Sequence, residues 1–531
     1  MSDKPTFNFE VKINGSWQSL NADVIGSQSC QYGIFSLSEI DRVAGTGILT
    51  LTLRNDSRNL GGVEGYYSPN MPGAKSGWRI GLQFRLTITC LGLSVKKFYG
   101  HITHIETDDV RKRVNVTVAD WMDYAAKHPI ELPTLQYDKK INDVVYSIVS
   151  EMPIKPLNTI YYSGTDTFNT VFDTVREETK AVSEFFKIAN SEFGWIYVKR
   201  DSKDGETLVV ESRYTRTYNR TVHNVPIFTG YLLESTGNYL VTENGDKLML
   251  HTATESKINN TMTRSSVSYG DNLLNQVIAR AYPRLVDTGV SVLWKFDSVE
   301  YISAGETKSG IKGTYTDPLN KAAKVNGKNM IVPVAGTDFA FFQNANSTGT
   351  NLTANLQVTA VYGAEGVEYT LKNNGAVGGY VTLLQARGYK ISYYNSVDVK
   401  VKDSSSITEY GVSELVIDQK YQSSTVNPAS IVGVLLNRNK TPRTMLGSVD
   451  FVANSDDYTM QLFLHNDIGD LVQIIDDRNG INGYYHIQGI KFTILQGGNI
   501  LFSWALKESL SQNSTYWILG TSRLGIDTVL G

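Results

Sequence analysis

The residues of this 531-residue sequence best suited to proton transfer or metal ligation are seven histidines, and their spacing argues against both roles. His101 and His104 are the closest pair. Three apart in a segment that reads as a strand, they are expected on opposite faces, where they could not share a metal ion. His128, His223, His251, His465 and His486 have no neighbour at ligand spacing. The His-Glu-x-x-His and Gly-x-Ser-x-Gly motifs are absent, and no Gly-Lys-Ser or Gly-Lys-Thr follows a glycine-rich strand end. Asp201-Ser202-Lys203-Asp204-Gly205 lacks the alternating acids and distant Glu of a calcium loop and reads as a hairpin turn. Asp476 and Asp477 are adjacent, so in a strand they face opposite ways, and the Asn479-Gly480 that follows marks a turn. The glycine-rich run 375–379 has neither dinucleotide spacing nor a following helix and reads as a bend between strands. Cys30 and Cys90, the only cysteines, read as two buried free thiols. No catalytic constellation emerges, so no enzymatic activity, metal or cofactor is expected.

The elements that would position these residues are mostly strands. Over 47–53, Ile48, Thr50 and Thr52 alternate with Leu49, Leu51 and Leu53, a strand with one strongly apolar face. Loop chemistry follows to Gly62. Beyond Trp78 the pattern predicts strands over 84–90, 95–107 and 110–120, with Gly92 in a turn and Val114, Val116 and Val118 on one face. Residues 1–120 thus read as a small β-barrel or sandwich. The period then changes. Asp138 is placed to cap a helix carrying Ile141, Val144, Val145, Ile148 and Val149. A second helix is expected over 179–193, with Val182, Phe185, Phe186, Ile188 and Ala189 on its apolar side and Gly194 ending it in the left-handed conformation. Strands 195–199 and 208–211 complete an α+β domain over 121–215. A hairpin of 239–242 with 247–250, turned at Asn244-Gly245-Asp246, begins a β-rich middle region over 216–400. Residues 401–506 read as a second β-barrel domain with one helix, capped at Asn427-Pro428 and continued by Ile431, Val434 and Leu435. The arm 507–531 carries Tyr516, Trp517, Leu519 and Leu524 between glycines. It either packs on its own domain or docks on a neighbour with Trp517 as an aromatic anchor. No period of 20–50 residues repeats.

Length and composition agree with this division. A chain this long exceeds the roughly 250–300 residues of one core, so three or four domains are expected. With 41% hydrophobic and 19% charged residues the chain is globular rather than disordered. A net charge of −3 leaves no footprint for a dedicated nucleic-acid binder. No apolar run reaches the length of a signal peptide or membrane span, so synthesis in a cytoplasm is expected. Aromatic content of 11% could serve sugar stacking, yet β cores and subunit interfaces use the same residues.

Read in order, four stretches resemble the tail-tip and baseplate hub proteins of long-tailed bacteriophages, which share a fold with the hub of contractile injection spikes. The first is the loop with Pro69, Pro72 and Gly73 before Gly77-Trp78-Arg79, with the later Phe98-Tyr99-Gly100-His101-Ile102. The second is 138–152 with 181–197, similar to an inserted α/β domain. The third is Ser406-Ile407-Thr408-Glu409-Tyr410-Gly411 before a helix, then the closing strands at 470–475 and 485–490. The fourth is the arm from Tyr516 to Gly520. Residues 292–358 match no part of the family. The resemblance implies a mainly β, multidomain fold with an α+β insertion: tail-tube-like β-barrels plus a small α/β domain. It implies a structural virion protein, a homotrimeric hub of the viral tail tip whose paired barrels present six similar units to the tail. It further implies a genome-ejection channel, with DNA only in transit, and partners among the distal tail ring, tape measure and central fibre. Host surface glycan would be met only indirectly. The alternatives are a hexameric distal-tail ring and a carbohydrate-binding receptor-recognition module.

Overall fold

The computed structural model describes residues 4–130, 135–164, 166–173, 179–200, 204–216, 224–231, 249–255 and 257–509. Alternating apolar residues in the first 120 positions fold as β1 (Thr6–Ile13), β2 (Ser16–Ser19), β3 (Val24–Gly33), β4 (Gly45–Arg54), β5 (Gln83–Cys90), β6 (Leu93–Asp108) and β7 (Arg113–Ala119). On β4 the expected alternation holds: Leu49, Leu51 and Leu53 are buried while Thr50 is exposed. Each such leucine stabilises the fold by about 1.5–3 kcal/mol relative to the exposed state. Cys30 and Cys90 are buried thiols that form no disulfide, as expected. Val110 lies in the turn before β7, not within the strand.

The α+β domain contains α1 (Trp121–Lys127), α2 (Ile141–Glu151), β8 (Asn158–Tyr161), α3 (Ala181–Glu192), β9 (Trp195–Lys199) and β10 (Thr207–Glu211), with sheet order β8-β10-β9. Its core joins Ile141, Val144, Val145 and Ile148 of α2 to Phe185 and Ile188 of α3. Two expected helix ends are corrected. Asp138 does not cap α2; it takes a left-handed φ of 50°, and the Asp143 carboxylate instead accepts from the Lys140 amide. At the end of α3, Phe193 rather than Gly194 turns left-handed, with φ of 62°. Gly194 serves a different need, because a Cβ there would lie 2.2 Å from the Glu211 carbonyl oxygen.

Beyond this domain β11 (Asn224–Tyr231) pairs with β12 (Met249–Glu255). Met249 and Leu250, assigned above to a hairpin with 239–242, pair with Tyr231 and Gly230; residues 239–248 lie outside the described residues. The chain continues through β13 (Lys257–Asn259), β14 (Arg264–Tyr269) and β15 (Gln276–Ala281). The stretch 292–358, which matched nothing by sequence, belongs to a separate β domain. Its strands are β16 (Arg284–Lys295), β17 (Glu300–Ile302), β18 (Thr307–Thr314), β19 (Thr316–Asp317), β20 (Asn320–Lys324), β21 (Asn326–Lys328), β22 (Phe339–Phe342), β23 (Leu356–Tyr362), β24 (Gly366–Asn373) and β25 (Gly379–Tyr393). They enclose their own core, including Tyr315, Phe341, Tyr369 and Leu371. The glycine run 375–379 is the bend between β24 and β25, as expected. β26 (Val397–Lys402) then pairs antiparallel with β15, so this domain is inserted at the open end of one strand pair.

The last part holds α4 (Ser404–Tyr410), β27 (Glu414–Gln419), α5 (Val426–Asn439), β28 (Thr444–Val452), α6 (Asp457–His465), β29 (Leu471–Asp476), β30 (Ile481–Ile494) and β31 (Ile500–Glu508). Three helices therefore stand where one was expected. Both additional helices carry caps: Asp403 accepts from the Ser406 amide, and Asp456 from the Thr459 amide. α5 begins before Asn427, with Thr425 as N-cap, and Pro428 sits in its first turn, where its missing N–H costs no intrahelical bond. No helix among the described residues is long and apolar enough to cross a membrane.

Candidate assembly interface

The barrel strands at the two ends of the chain form one 13-stranded sheet among the described residues, and its halves repeat one strand order. The N-terminal half runs β3-β4-β7-β6-β5-β1; the C-terminal half runs β14-β28-β31-β30 and continues through β29 to β13. Corresponding strands also follow each other in the same order along the chain. One sense differs at the edge, because β1 lies antiparallel to β5 whereas β13 lies parallel to β29.

A short sequence repeat marks the correspondence. β3 ends in Ser29-Cys30-Gln31-Tyr32-Gly33, and β14 runs through Ser266-Val267-Ser268-Tyr269 into Gly270. Both glycines take a left-handed φ, 106° and 89°. Ser29 faces Thr50 of β4, and Ser266 faces Ser448 of β28. The long strands β6 and β30 agree as well. Each leaves its neighbour β5 or β29 after His101 or His486, and each then carries a bulge, between Ile102 and His104 and between Ile487 and Gly489.

The two halves join where β3 lies against the distal part of β30, with Gln28 opposite Ile494 through Gly33 opposite Gly489. The Ile34 amide extends this ladder to the Gln488 carbonyl at 2.8 Å. A Cβ on Gly33 would lie 2.4 Å from that carbonyl oxygen, so the close approach as well as the φ excludes other residues. At the far ends of the run, β14 pairs on one side only, with β28, and β6 beyond Thr103 pairs on one side only, with β7, among the described residues. On one face of the run, polar side chains of β3, β4, β7 and β6 bond to one another. The Ser29 and Thr50 hydroxyls bond at 2.8 Å, Thr52 donates to Asn115 at 3.0 Å, and Asn115 donates to Glu106 at 3.3 Å.

Buried charge holds the seam. Arg200 of the α+β domain places its guanidinium 2.6 Å from the Asp120 carboxylate, while its amide donates to Asp467 at 2.6 Å. Lys199 reaches Asp470 at 2.8 Å, so both sheet halves are tied to this domain. Between the halves, Glu39 meets Lys507 at 2.9 Å. Burial alone would raise the Glu39 carboxyl, but Lys507, Arg438 and Arg42 outweigh it and hold the group at about 2. Burial pushes the Lys507 ammonium down to about 8 although Glu39 opposes it. Arg438 and Arg443 both pair with Glu508.

The sequence-predicted chemistry resolves differently. The bulge at Thr103 shifts the side-chain parity of β6, so His101 opposite Ala119 and His104 opposite Thr117 share a face, contrary to the two-face expectation. They remain separate in environment. His101 is buried, 3.1 Å from Asp123 and stacked on Tyr124, and burial lowers its pKa; His104 is exposed. No group of three or more His, Cys, Asp or Glu side chains among the described residues could hold a metal. A cavity of about 240 Å³ beside Tyr124, Lys127, His128 and Met152 contains no carboxylate or thiol. Trp517, Tyr516, Leu519 and Leu524 lie outside the described residues. Lys507 and Glu508, assigned above to the arm, belong to β31. What sequence reasoning missed is the paired open edges; the repeated Ser-x-x-Tyr-Gly was the signal that could have exposed them.

No protein-family model matches the sequence, and no curated protein is significantly similar to it. Among solved structures that the chain is similar to are the following. The 43 kDa tail protein of prophage MuSo2 from Shewanella oneidensis has a TM-score of 0.45 at 11% identity, covering 94% of this chain and 98% of that one. The tail protein from Neisseria meningitidis MC58 has a TM-score of 0.44 at 10% identity, with 94% and 96% covered. An E. coli component of the type VI secretion system, described as structurally similar to the T4 bacteriophage tail proteins gp27 and gp5, has a TM-score of 0.35 at 6% identity, with 92% and 73% covered.

Proposed function

We propose that this chain is a structural protein of a bacteriophage tail, the hub at its tip, and that it assembles as a homotrimer around the channel through which the genome leaves. The observation that carries this reading is the tandem sheet: two units of one strand order, joined edge to edge, with an unpaired edge at each end. Each copy offers eight consecutive strands, four from each unit. Three copies would set six similar units in one ring, which agrees with the symmetry implied by the sequence resemblance. Twenty-four strands spaced about 4.8 Å apart make a ring about 37 Å across at the backbone before tilt widens it, a bore that admits duplex DNA. The face that carries Ser29, Thr50, Thr52 and Asn115 suits such a lumen, because its basic residues Arg54, Arg113 and Lys491 alternate with hydroxyls, amides and the carboxylates of Glu106 and Asp108 and so offer DNA no dense positive charge. The distal tail ring, tape measure and central fibre are the partners on this reading, and the chain is catalytically inert. The acids that burial raises most, Glu184, Glu192 and Glu206, are buried within the fold rather than members of an open site.

Native mass measurement with imaging of the purified full chain tests the proposal. The expected result is a ring of three times the 58.9 kDa of one chain. Six copies would refute the hub and favour a distal-tail ring; a monomer at micromolar concentration would refute ring assembly. Peptidoglycan hydrolysis abolished by His101→Ala without loss of thermal stability would refute inertness.

A further inference from the structure

We propose that neighbouring copies join by strand pairing, β14 of one copy adding antiparallel to residues 104–108 of β6 in the next, in a register that the internal junction dictates. This rests on the ring reading above and adds the surfaces that make the ring.

Within the chain β3 fills the open flank of β30. β14 is the structural counterpart of β3, and β6 the counterpart of β30, yet these two are not paired with each other. They lie at opposite ends of the eight-strand run, seven strand spacings apart. At about 4.8 Å each this is about 34 Å along the sheet, so the edge of a second copy is the surface that can meet either one.

The register follows from two alignments. Matching the bulges places Ile105 where Ile490 stands and Glu106 where Lys491 stands. Matching the Ser-x-x-Tyr-Gly repeats places Tyr269 at Tyr32 and Ser268 at Gln31. Tyr32 lies opposite Ile490, Gln31 opposite Lys491, and Ser29 opposite Thr493. Across the copies, Tyr269 therefore meets Ile105, Ser268 meets Glu106, Val267 meets Thr107 and Ser266 meets Asp108.

The side chains fit that pairing. Tyr32, inside the completed junction, is 2% exposed, whereas Tyr269 at the open edge is 73% exposed. Ile105 already packs on the core and would give the ring of Tyr269 an apolar partner. Arg264 shares a face with Ser266 and would lie diagonal to Asp108, an opposite-charge contact at the rim.

Cysteine cross-linking of the full chain reads the register directly. The Ile34 amide bonded to the Gln488 carbonyl makes Gln31–Lys491, by alternation, a non-hydrogen-bonded pair. Its counterpart Ser268–Glu106 should then have Cα atoms about 4.5 Å apart, within disulfide range. The variant with both Ser268→Cys and Glu106→Cys, mildly oxidised, is expected to give covalent multimers ending at three chains. Each single variant, and Ser268→Cys with His104→Cys, should stay at one chain; native Cys30 and Cys90 are buried and give no background. Tyr269→Glu should leave the melting temperature of the chain unchanged and reduce the particle to monomers. A ring by native mass in which the pair fails to cross-link, or a ring that survives Tyr269→Glu, overturns the edge pairing and leaves the hub reading intact. A wild-type chain that never forms a ring overturns both.

Discussion

Arg200→Met weighs the buried charge that ties the α+β domain to the sheet. The Arg200 side chain is fully buried, 2.6 Å from Asp120, and its guanidinium lies 4.4 Å from the ring of Tyr32 and 5.0 Å from that of Phe98. Methionine keeps the apolar stem and fills most of the volume, so the loss isolates the charge. It leaves the Asp120 carboxylate buried, still accepting from the Met122 amide, with its ion-pair partner gone. Breaking one side of a buried pair costs about 3–5 kcal/mol, because the remaining charge is neither hydrated nor compensated. Asp120 already has its carboxyl raised by burial, with Arg200 opposing. Without Arg200 it rises further, so the penalty should grow as pH rises, the folded state then having to give up a proton it prefers to keep. Arg200→Met combined with Asp120→Asn removes both charges, keeps a side-chain cap for α1, and should recover about 2 kcal/mol or more of the single-variant loss. Urea unfolding read by fluorescence of the buried Trp121, Trp195 and Trp504 measures each step. A single-variant loss below about 1 kcal/mol, or a double variant that costs the sum of its parts, would refute an energetically coupled latch.

Glu192 is fully buried, and burial with repulsion from Asp166 raises its carboxyl to about 8 despite Arg213. A raised acid favours folding while protonated, so its contribution falls as pH climbs from about 4.5 to about 8; Glu192→Gln should flatten that fall in a urea titration, and an unchanged slope would count against it. Gly194→Ala should destabilise by about 2 kcal/mol or more through its clash with Glu211, whereas Gly433→Ala in α5, where a Cβ meets nothing within 4 Å, should stabilise by about 0.5–1 kcal/mol. Thermal melts of the two variants decide the sign. Deletion of 510–531 keeps Glu508 with Arg438 and Arg443, so the chain should melt as before while failing to enter tails. A lower melting temperature would show that the arm belongs to its own core.

Local order was legible in the sequence wherever one face of an element is buried. Leu49, Leu51 and Leu53 on β4, Val114, Val116 and Val118 on β7, and the stripes of α2 and α3 announce their elements, because period 2 or 3.6 is all that burying one face requires. α4 and α6 were less legible although Asp403 and Asp456 cap them, because their apolar stripes are short. Pairings between distant segments were not encoded in any local period. β3 meets β30 across more than 450 residues, and only the assembled sheet decides that Tyr32 is covered while Tyr269 is not. Bulges have the same effect at close range: one extra residue at Thr103 reverses the expected parity of His101 and His104. Phe193 takes the left-handed turn beside Gly194 because the glycine is needed where the Glu211 backbone passes. Sequence alone thus determined which elements form and which faces are apolar, since those depend on neighbours along the chain. The tertiary structure decided which edges meet and which stay open, since that depends on backbone hydrogen-bonding groups common to every residue but proline.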